Sequence, residues 1–275
     1  MSNDPIDPVA VFEAERERRI RTYDGLEAWR GLSDDWTRHA FANKYMYNFA
    51  YLGRPIIQTP IDMVAIQELI WSVQPDLIIE TGIAHGGSLV MGASMLALLD
   101  YCDAVRNGTT LDPRSTRRHV LGVDIDIRRH NLEAIQAHPM SHHIRMIQGS
   151  SIAAETIAQV REHAAGHARV LVCLDSNHTH DHVLAELEAY APLASAGSYC
   201  VVFDTIVEHL PDGSFPDRPW TVGNNPKTAV AEYLRRLGDP GRTAADGAPL
   251  HLEVDRMLEH KLQITVAPGG YLRRV

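Results

Sequence analysis

The run Leu77-Ile78-Ile79-Glu80-Thr81-Gly82-Ile83-Ala84-His85-Gly86-Gly87-Ser88 restricts this chain more than any other segment. A short β-branched strand ends in an acid, a glycine turn follows, and an apolar helix starts near Gly87 and runs towards Leu99. The next apolar strand, Val120-Leu121-Gly122-Val123, ends in Asp124-Ile125-Asp126. Doubly wound α/β sheets hold nucleosides in this way: glycines let the backbone approach the ligand, and an acid at the second strand tip accepts hydrogen bonds from ribose hydroxyls. The turn lacks the G-x-G-x-x-G spacing that presents bare helix amides to a pyrophosphate, and the charge of Glu80 would repel phosphate. An acid there suits a ligand with an ammonium group and no phosphate, so S-adenosylmethionine is preferred to NAD(P). The predicted cofactor contacts are Glu80, Gly82, His85, Gly86, Ser88, Asp124, Asp126, Ser150 and Asp175.

The chain has 275 residues, enough for one large α/β domain with an appendage. A net charge of −9 without a long basic run argues against a nucleic-acid partner. Cys102, Cys173 and Cys200 form no C-x-x-C pattern, and the last two sit in apolar strand-like runs, as core residues of a reducing compartment do. No signal-peptide-like segment and no span near twenty apolar residues is evident, so the expectation is a cytoplasmic protein without a membrane partner.

Residues 1–60 read as an N-terminal helical and aromatic appendage, a lid or an oligomer contact, and residues 61–275 as the cofactor-binding catalytic domain of a homo-oligomer. The appendage has a charged helix over 9–23 and an aromatic run, Tyr45 to Leu52. Thr59-Pro60 opens a further helix. Strands are then expected at 76–80, 119–124, 143–147, 169–174 and 198–204, alternating with helices at 87–100, 127–137, 152–164 and 179–190. This alternation predicts a mostly parallel sheet covered on both faces. The Pro/Gly-rich stretch Pro211 to Asn225, with Trp220 inside it, reads as a lid. Asn225-Pro226 caps a helix to about Leu237, and 250–256 with 261–267 are expected as an antiparallel strand pair at the sheet edge. The fold class is therefore α/β: a Rossmann-like, seven-stranded methyltransferase sheet, mostly parallel with an antiparallel edge strand.

In such sheets ligands bind beyond the carboxyl ends of the strands. Those ends deliver Glu80, Asp124 and Asp126, Gly149-Ser150-Ser151, Asp175-Ser176-Asn177-His178, and Asp204-Thr205. Clustered carboxylates repel one another unless something cationic binds. Asp175 and Asp204 end adjacent strands in this reading and suit Mg²⁺, with Thr205, Asn177 or Glu208 completing the shell. His178 is placed to take a proton from an acceptor hydroxyl. His180 and His182 are read as helix surface, with Thr179 as the cap, and His251-Leu252-Glu253 with His260 is read as no iron site.

The chain resembles the cephalosporin hydroxylase family, which is related to rhamnosyl O-methyltransferases. The resemblance rests on Leu52-Gly53-Arg54-Pro55-Ile56-Ile57-Gln58, Glu80 to Ser88, Gly122-Val123-Asp124-Ile125-Asp126, and Leu174-Asp175-Ser176-Asn177-His178. It continues through Pro192 to Asp204, Asn224-Asn225-Pro226-Lys227 and Ala267-Pro268-Gly269-Gly270-Tyr271-Leu272, and covers the chain from about Tyr45 to Val275. It implies S-adenosylmethionine at the first two strand tips, Mg²⁺ on carboxylates after the fourth and fifth strands, and a base at His178. Relatives can carry Glu-Asp at the fifth strand end, where this chain has Phe203-Asp204. The expected activity is Mg²⁺-assisted methylation of a hydroxyl on a small metabolite, most plausibly a sugar of a natural-product glycoside. The alternative is a cofactor-binding partner of a separate oxygenase in antibiotic biosynthesis, which the missing acid at Phe203 would favour.

Overall fold

A computed structural model describes residues 7–238 and 241–275. The described chain begins with helices α1 (Pro8–Tyr23) and α2 (Glu27–Ala42), followed by the hairpin β1 (Phe49–Tyr51) and β2 (Arg54–Ile56). Helix α3 (Pro60–Val73) starts at Thr59, whose hydroxyl accepts from the Asp62 amide, with Pro60 in the first turn where its missing N–H costs nothing. Strand β3 (Leu77–Thr81) and helix α4 (Gly87–Asn107) flank the glycine turn, and β4 (His119–Asp124), α5 (Arg129–Gln136), β5 (Ile144–Gln148), α6 (Ala154–Ala164) and β6 (Val170–Leu174) follow. Then come α7 (His180–Tyr190), β7 (Tyr199–Val202), α8 (Pro226–Leu237), β8 (Leu252–Val254), α9 (Arg256–Leu262) and β9 (Tyr271–Arg274).

The seven-stranded sheet has the order β5-β4-β3-β6-β7-β9-β8. The pairs among β5, β4, β3, β6 and β7 are parallel, and β9 runs antiparallel to both β7 and β8, which makes that edge of the sheet antiparallel as expected. Alternation of side chains along the strands builds two cores. Ile78, Leu171, Cys173, Val201 and Phe203 face α3 and α4. Ile79, Val172, Leu174, Cys200 and Val202 face the side covered by α7 and α8.

Two expectations need correcting. Residues 261–267 are not a strand: Leu262 ends α9, Gln263 adopts a left-handed φ of 57°, and the second member of the antiparallel pair is β9. The β-branched run Ile264-Thr265-Val266 serves a different purpose. Fully buried Asp62 accepts hydrogen bonds from the hydroxyls of Thr59, Thr265 and Tyr271 and from the Val266 amide. This bracket ties α3 to the segment before β9. Second, α4 does have the length and hydropathy of a membrane-crossing helix, 21 residues at 1.4. Its Leu89, Val90, Ala93, Leu96 and Leu99 are buried in the sheet core, and the core requirement accounts for that composition.

Candidate functional site

The register brings the acidic residues to one end of the sheet. Thr81 pairs with Val123 and with Leu174, and Leu174 pairs with Val202. The amide of Asp175 donates to Thr81 O at 2.9 Å and that of Phe203 to Leu174 O at 3.0 Å, extending the ladder to the strand tips. Glu80, Asp124, Asp175 and Asp204 therefore lie at neighbouring carboxyl ends.

The glycine turn is built by close approach. Gly82 has φ +90°, and a Cβ there would lie 2.1 Å from the carbonyl oxygen of Asp175, so only glycine lets the turn cross the next strand tip. Gly86 and Gly87 answer to packing: added Cβ atoms would meet the Ile135 side chain and the Pro55 carbonyl. Asp124 accepts from the amides of Ile83 (2.8 Å) and Ala84 (3.3 Å) with one oxygen and from the Asp126 amide (2.9 Å) with the other. From outside, Arg54 of β2 donates to the His85 carbonyl and to Asn131 Oδ1, while Asn131 Nδ2 donates to Ala84 O. Arg54 and Asn131, to which the sequence reading assigned no role, thus clamp the turn against the hairpin and α5.

The predicted cofactor residues fall into two groups. Glu80, Gly82, Ser88, Asp124 and Asp175 converge around the turn, with Ser88 Oγ donating to Glu80 Oε1. Ser150, on the loop after β5, and His85 are half-buried at the same end of the sheet. Asp126 does not join them. Its carboxylate is exposed and 3.8 Å from Arg128, because the reverse turn that Asp124 stabilises directs it to solvent.

Beside the turn, ligand atoms of Asp175, His178 and Asp204 lie within 4.8 Å of one another. His178 Nε2 is 3.0 Å from Asp204 Oδ2. Asp204 sits in the left-handed region (φ 55°), a conformation that costs most residues free energy but that Asp and Asn tolerate. Burial pushes the Asp175 carboxyl well above the usual carboxylate range, and the charges of Asp204 and Glu80 push it further. Loss of hydration raises Glu80 to about 7, against the smaller stabilising effect of Ser88. Two carboxylates and an imidazole with no Lys or Arg among them fit a divalent cation, and the oxygen-rich set fits Mg²⁺.

The residues expected to complete a metal shell are engaged elsewhere. Thr205 Oγ1 donates to Pro268 O at 3.0 Å. Glu208 Oε2 accepts from the Gly223 amide (2.8 Å) and from Asn225 Nδ2, bracing the loop before α8. Asn177 Oδ1 accepts from both the amide and the hydroxyl of Thr179, so Asn177 turns the chain into α7 and Thr179 does not cap it with its side chain. A divalent cation held by Asp175 and Asp204 would then take water to complete its shell, as Mg²⁺ readily does.

His182 is also not helix surface. Its Nε2 lies 3.0 Å from Ser151 Oγ and 3.2 Å from Ser176 Oγ, and Ser176 donates to the fully buried Glu186 at 2.6 Å. This cluster ties the loop after β5 to the tip of β6. His180 Nδ1 is 2.8 Å from Thr228 Oγ1 on α8, and His260 is 3.3 Å from Asp24 on the appendage, away from His251.

The stretch 211–225 lies over the site. The Trp220 ring packs edge-on against His178, centroids 4.7 Å apart, and contacts Phe215 at 6.4 Å. Phe215 meets Phe41 of α2 at 6.2 Å, which links the loop to the N-terminal helices. Asn225 and Thr228 form the reciprocal cap expected of Asn225-Pro226.

The family model described as Rhamnosyl O-methyltransferase/CmcI matches residues 43–275. The rhamnosyl O-methyltransferase of Mycobacterium tuberculosis (strain H37Rv) is 26% identical over 247 residues, covering 88% of this chain and 85% of that protein. The Mycobacterium leprae protein of the same name is 24% identical over 243 residues, covering 88% and 90%. Among solved structures, cmcI with Mg and SAM shares the fold at a TM-score of 0.53 and 18% identity, covering 83% of this chain and 77% of that one. The chain belongs to the Rhamnosyl O-methyltransferase/CmcI family and, with it, to the S-adenosylmethionine-dependent O-methyltransferases.

Proposed function

We propose that this protein transfers a methyl group from S-adenosylmethionine to a hydroxyl of a sugar in natural-product biosynthesis, assisted by Mg²⁺. The observation that carries the reading is the convergence of Asp175, His178 and Asp204 at one end of the sheet, with Glu80 and Asp204 the nearest charges acting on Asp175 among the described residues. Glu80 and Asp175 would face the cofactor's ammonium, and Asp124 its ribose. Asp175 and Asp204 would hold the metal, which when bound supplies charge neutralisation and lowers the acidity barrier of a nearby hydroxyl.

The chain's own residues then have defined tasks. The His178 imidazole, 3.0 Å from Asp204 Oδ2, would take the acceptor's proton. Asp204 stabilises the imidazolium that results, as a carboxylate paired to a catalytic histidine does. As the new O–C bond forms, the C–S bond to the cofactor breaks, so placing the two reacting atoms in line is the enzyme's main contribution. Arg218 lies over the Trp220 ring at 5.2 Å, and the ring, beside His178, would give an acceptor an aromatic contact next to the base. Trp220→Ala is expected to raise the acceptor KM roughly tenfold, the size of one aromatic contact. Affinity for S-adenosylhomocysteine should not change, which calorimetry on the same variant checks.

Thermal melting with S-adenosylhomocysteine, NADH and NADPH, each with and without Mg²⁺, tests the reading, because a ligand of the native state raises Tm by mass action. The expected result is a rise with S-adenosylhomocysteine, a further rise with Mg²⁺, and none with the nicotinamides. Methylation of a hydroxylated sugar, followed by mass spectrometry, should accompany it. A chain stabilised by NADH and indifferent to S-adenosylhomocysteine would overturn it.

A further inference from the structure

Gln58 lies between β2 and α3 and is only 7% exposed. Its Nε2 donates to Asp175 Oδ2 at 3.3 Å. In this orientation the amide nitrogen faces Asp175. The amide oxygen, Oε1, is buried and has no hydrogen-bond partner. Buried polar atoms in native structures are nearly always paired, so an orphaned acceptor beside a ligand site marks a missing donor.

The surroundings narrow what that donor is. Gln58 lines a cavity of about 30 Å³ together with Glu80, Ser88, Asp175, Cys173 and Phe203, and no basic side chain lines it. A space of that size takes a group on the scale of one water molecule or one ammonium. Apolar side chains of α3 and α4 form most of the lining; among the polar groups, Asp62 is already paired with Thr59, Thr265 and Tyr271, and Ser88 with Glu80, which leaves Glu80, Asp175 and Gln58 to offer acceptors. Anionic and purely accepting groups are therefore excluded. A tetrahedral ammonium offers one N–H to each of the three acceptors.

We infer that Gln58 is a binding residue for the amino group of the cofactor's amino-acid moiety, its amide oxygen accepting the third N–H beside Glu80 and Asp175. The inference rests on the S-adenosylmethionine reading and deepens it, because Gln58 comes from the segment before α3 and not from the strand tips. That segment also carries the Arg54 clamp, so the hairpin both braces the cofactor turn and supplies a ligand group.

The test is calorimetric binding of S-adenosylhomocysteine and of its desamino analogue (the same thioether nucleoside with a butyrate side chain), in EDTA so that no divalent metal takes part. Gln58→Met keeps side-chain length and removes the acceptor. It is expected to weaken S-adenosylhomocysteine roughly ten- to hundredfold, the range for a lost hydrogen bond to a charged group, and to leave the desamino analogue unchanged. Gln58→Glu restores an acceptor, so its preference for S-adenosylhomocysteine over the analogue should equal or exceed that of wild type. This second variant decides the matter if Gln58→Met does not fold. Equal losses for both ligands, or none for S-adenosylhomocysteine, would overturn the inference; for Gln58→Glu the overturning result is a preference below that of wild type. Wild-type protein that binds neither ligand would overturn the cofactor reading itself, and this inference with it.

Discussion

Replacing His178 by alanine is expected to lower kcat by about 10²- to 10⁴-fold, the usual contribution of a positioned general base. Affinity for S-adenosylhomocysteine measured in EDTA should stay close to that of wild type, because the imidazole meets Asp204 and Trp220 and not the glycine turn. Rapid-quench measurement of a single turnover separates loss of the chemical step from slow product release. His178 also belongs to the cation cluster, so Mg²⁺ affinity is to be titrated in the same variant. If excess Mg²⁺ restored full turnover, the histidine would be a metal ligand only. A fully active variant at low Mg²⁺ would remove both roles.

The second large effect concerns Glu80, and it runs in opposite directions for stability and binding. Its carboxyl is raised from 4.5 to about 7 by loss of hydration on folding. Below pH 4.5 the group is protonated in both folded and unfolded chains and contributes no pH dependence. As pH rises towards 7 the unfolded chain ionises first, so the folded state of the ligand-free protein loses stability over that window. Above about pH 7 the loss is constant, on the order of 3 kcal/mol for a shift of this size. Glu80→Gln removes the charge and keeps the shape. It is expected to raise Tm at pH 8 by about 6 °C, at roughly 2 °C per kcal/mol for a chain this long, with little gain at pH 4.5. The same substitution should weaken S-adenosylhomocysteine by about tenfold or more, because a charged acceptor for the ammonium is lost. Wild-type binding near pH 6.5 should also release protons, visible as a dependence of the calorimetric enthalpy on buffer. A Tm in Glu80→Gln that follows wild type at every pH would show that the buried carboxyl carries no penalty.

The parts legible in the sequence are those governed by short-range chemistry. The β-branched run before Glu80, the isolated Gly82 and the acid after Val123 each impose a local geometry, and together they place the glycine turn at the tips of β3 and β4. Asn225-Pro226 reads as a helix start because the cap is complete within four residues. The illegible parts depend on partners far along the chain. Arg54 reaches Asn131 across 77 positions, Gln58 reaches Asp175 across 117, and Asp62 meets Thr265 across 203. Nothing local distinguishes Asp62 from a solvated helix acid until the loop that satisfies it is in place. Ile264, Thr265 and Val266 favour a strand by composition, while the Thr265 hydroxyl and the Val266 amide serve the Asp62 bracket. His182 turns inward for a related reason: it faces Ser151, a residue of the preceding β–α loop.

The left-handed backbone at Asp204 bears on how this lineage can drift. Few L-residues accept that conformation, and apart from glycine the most tolerant replacement is Asn. The replacements that preserve the fold at this position are thus the ones that discard the carboxylate facing His178. On the proposed reading, descendants that lose the acid would keep the fold and the glycine turn while His178 loses its carboxylate partner, so well-folded proteins without that pair lie one tolerated substitution away.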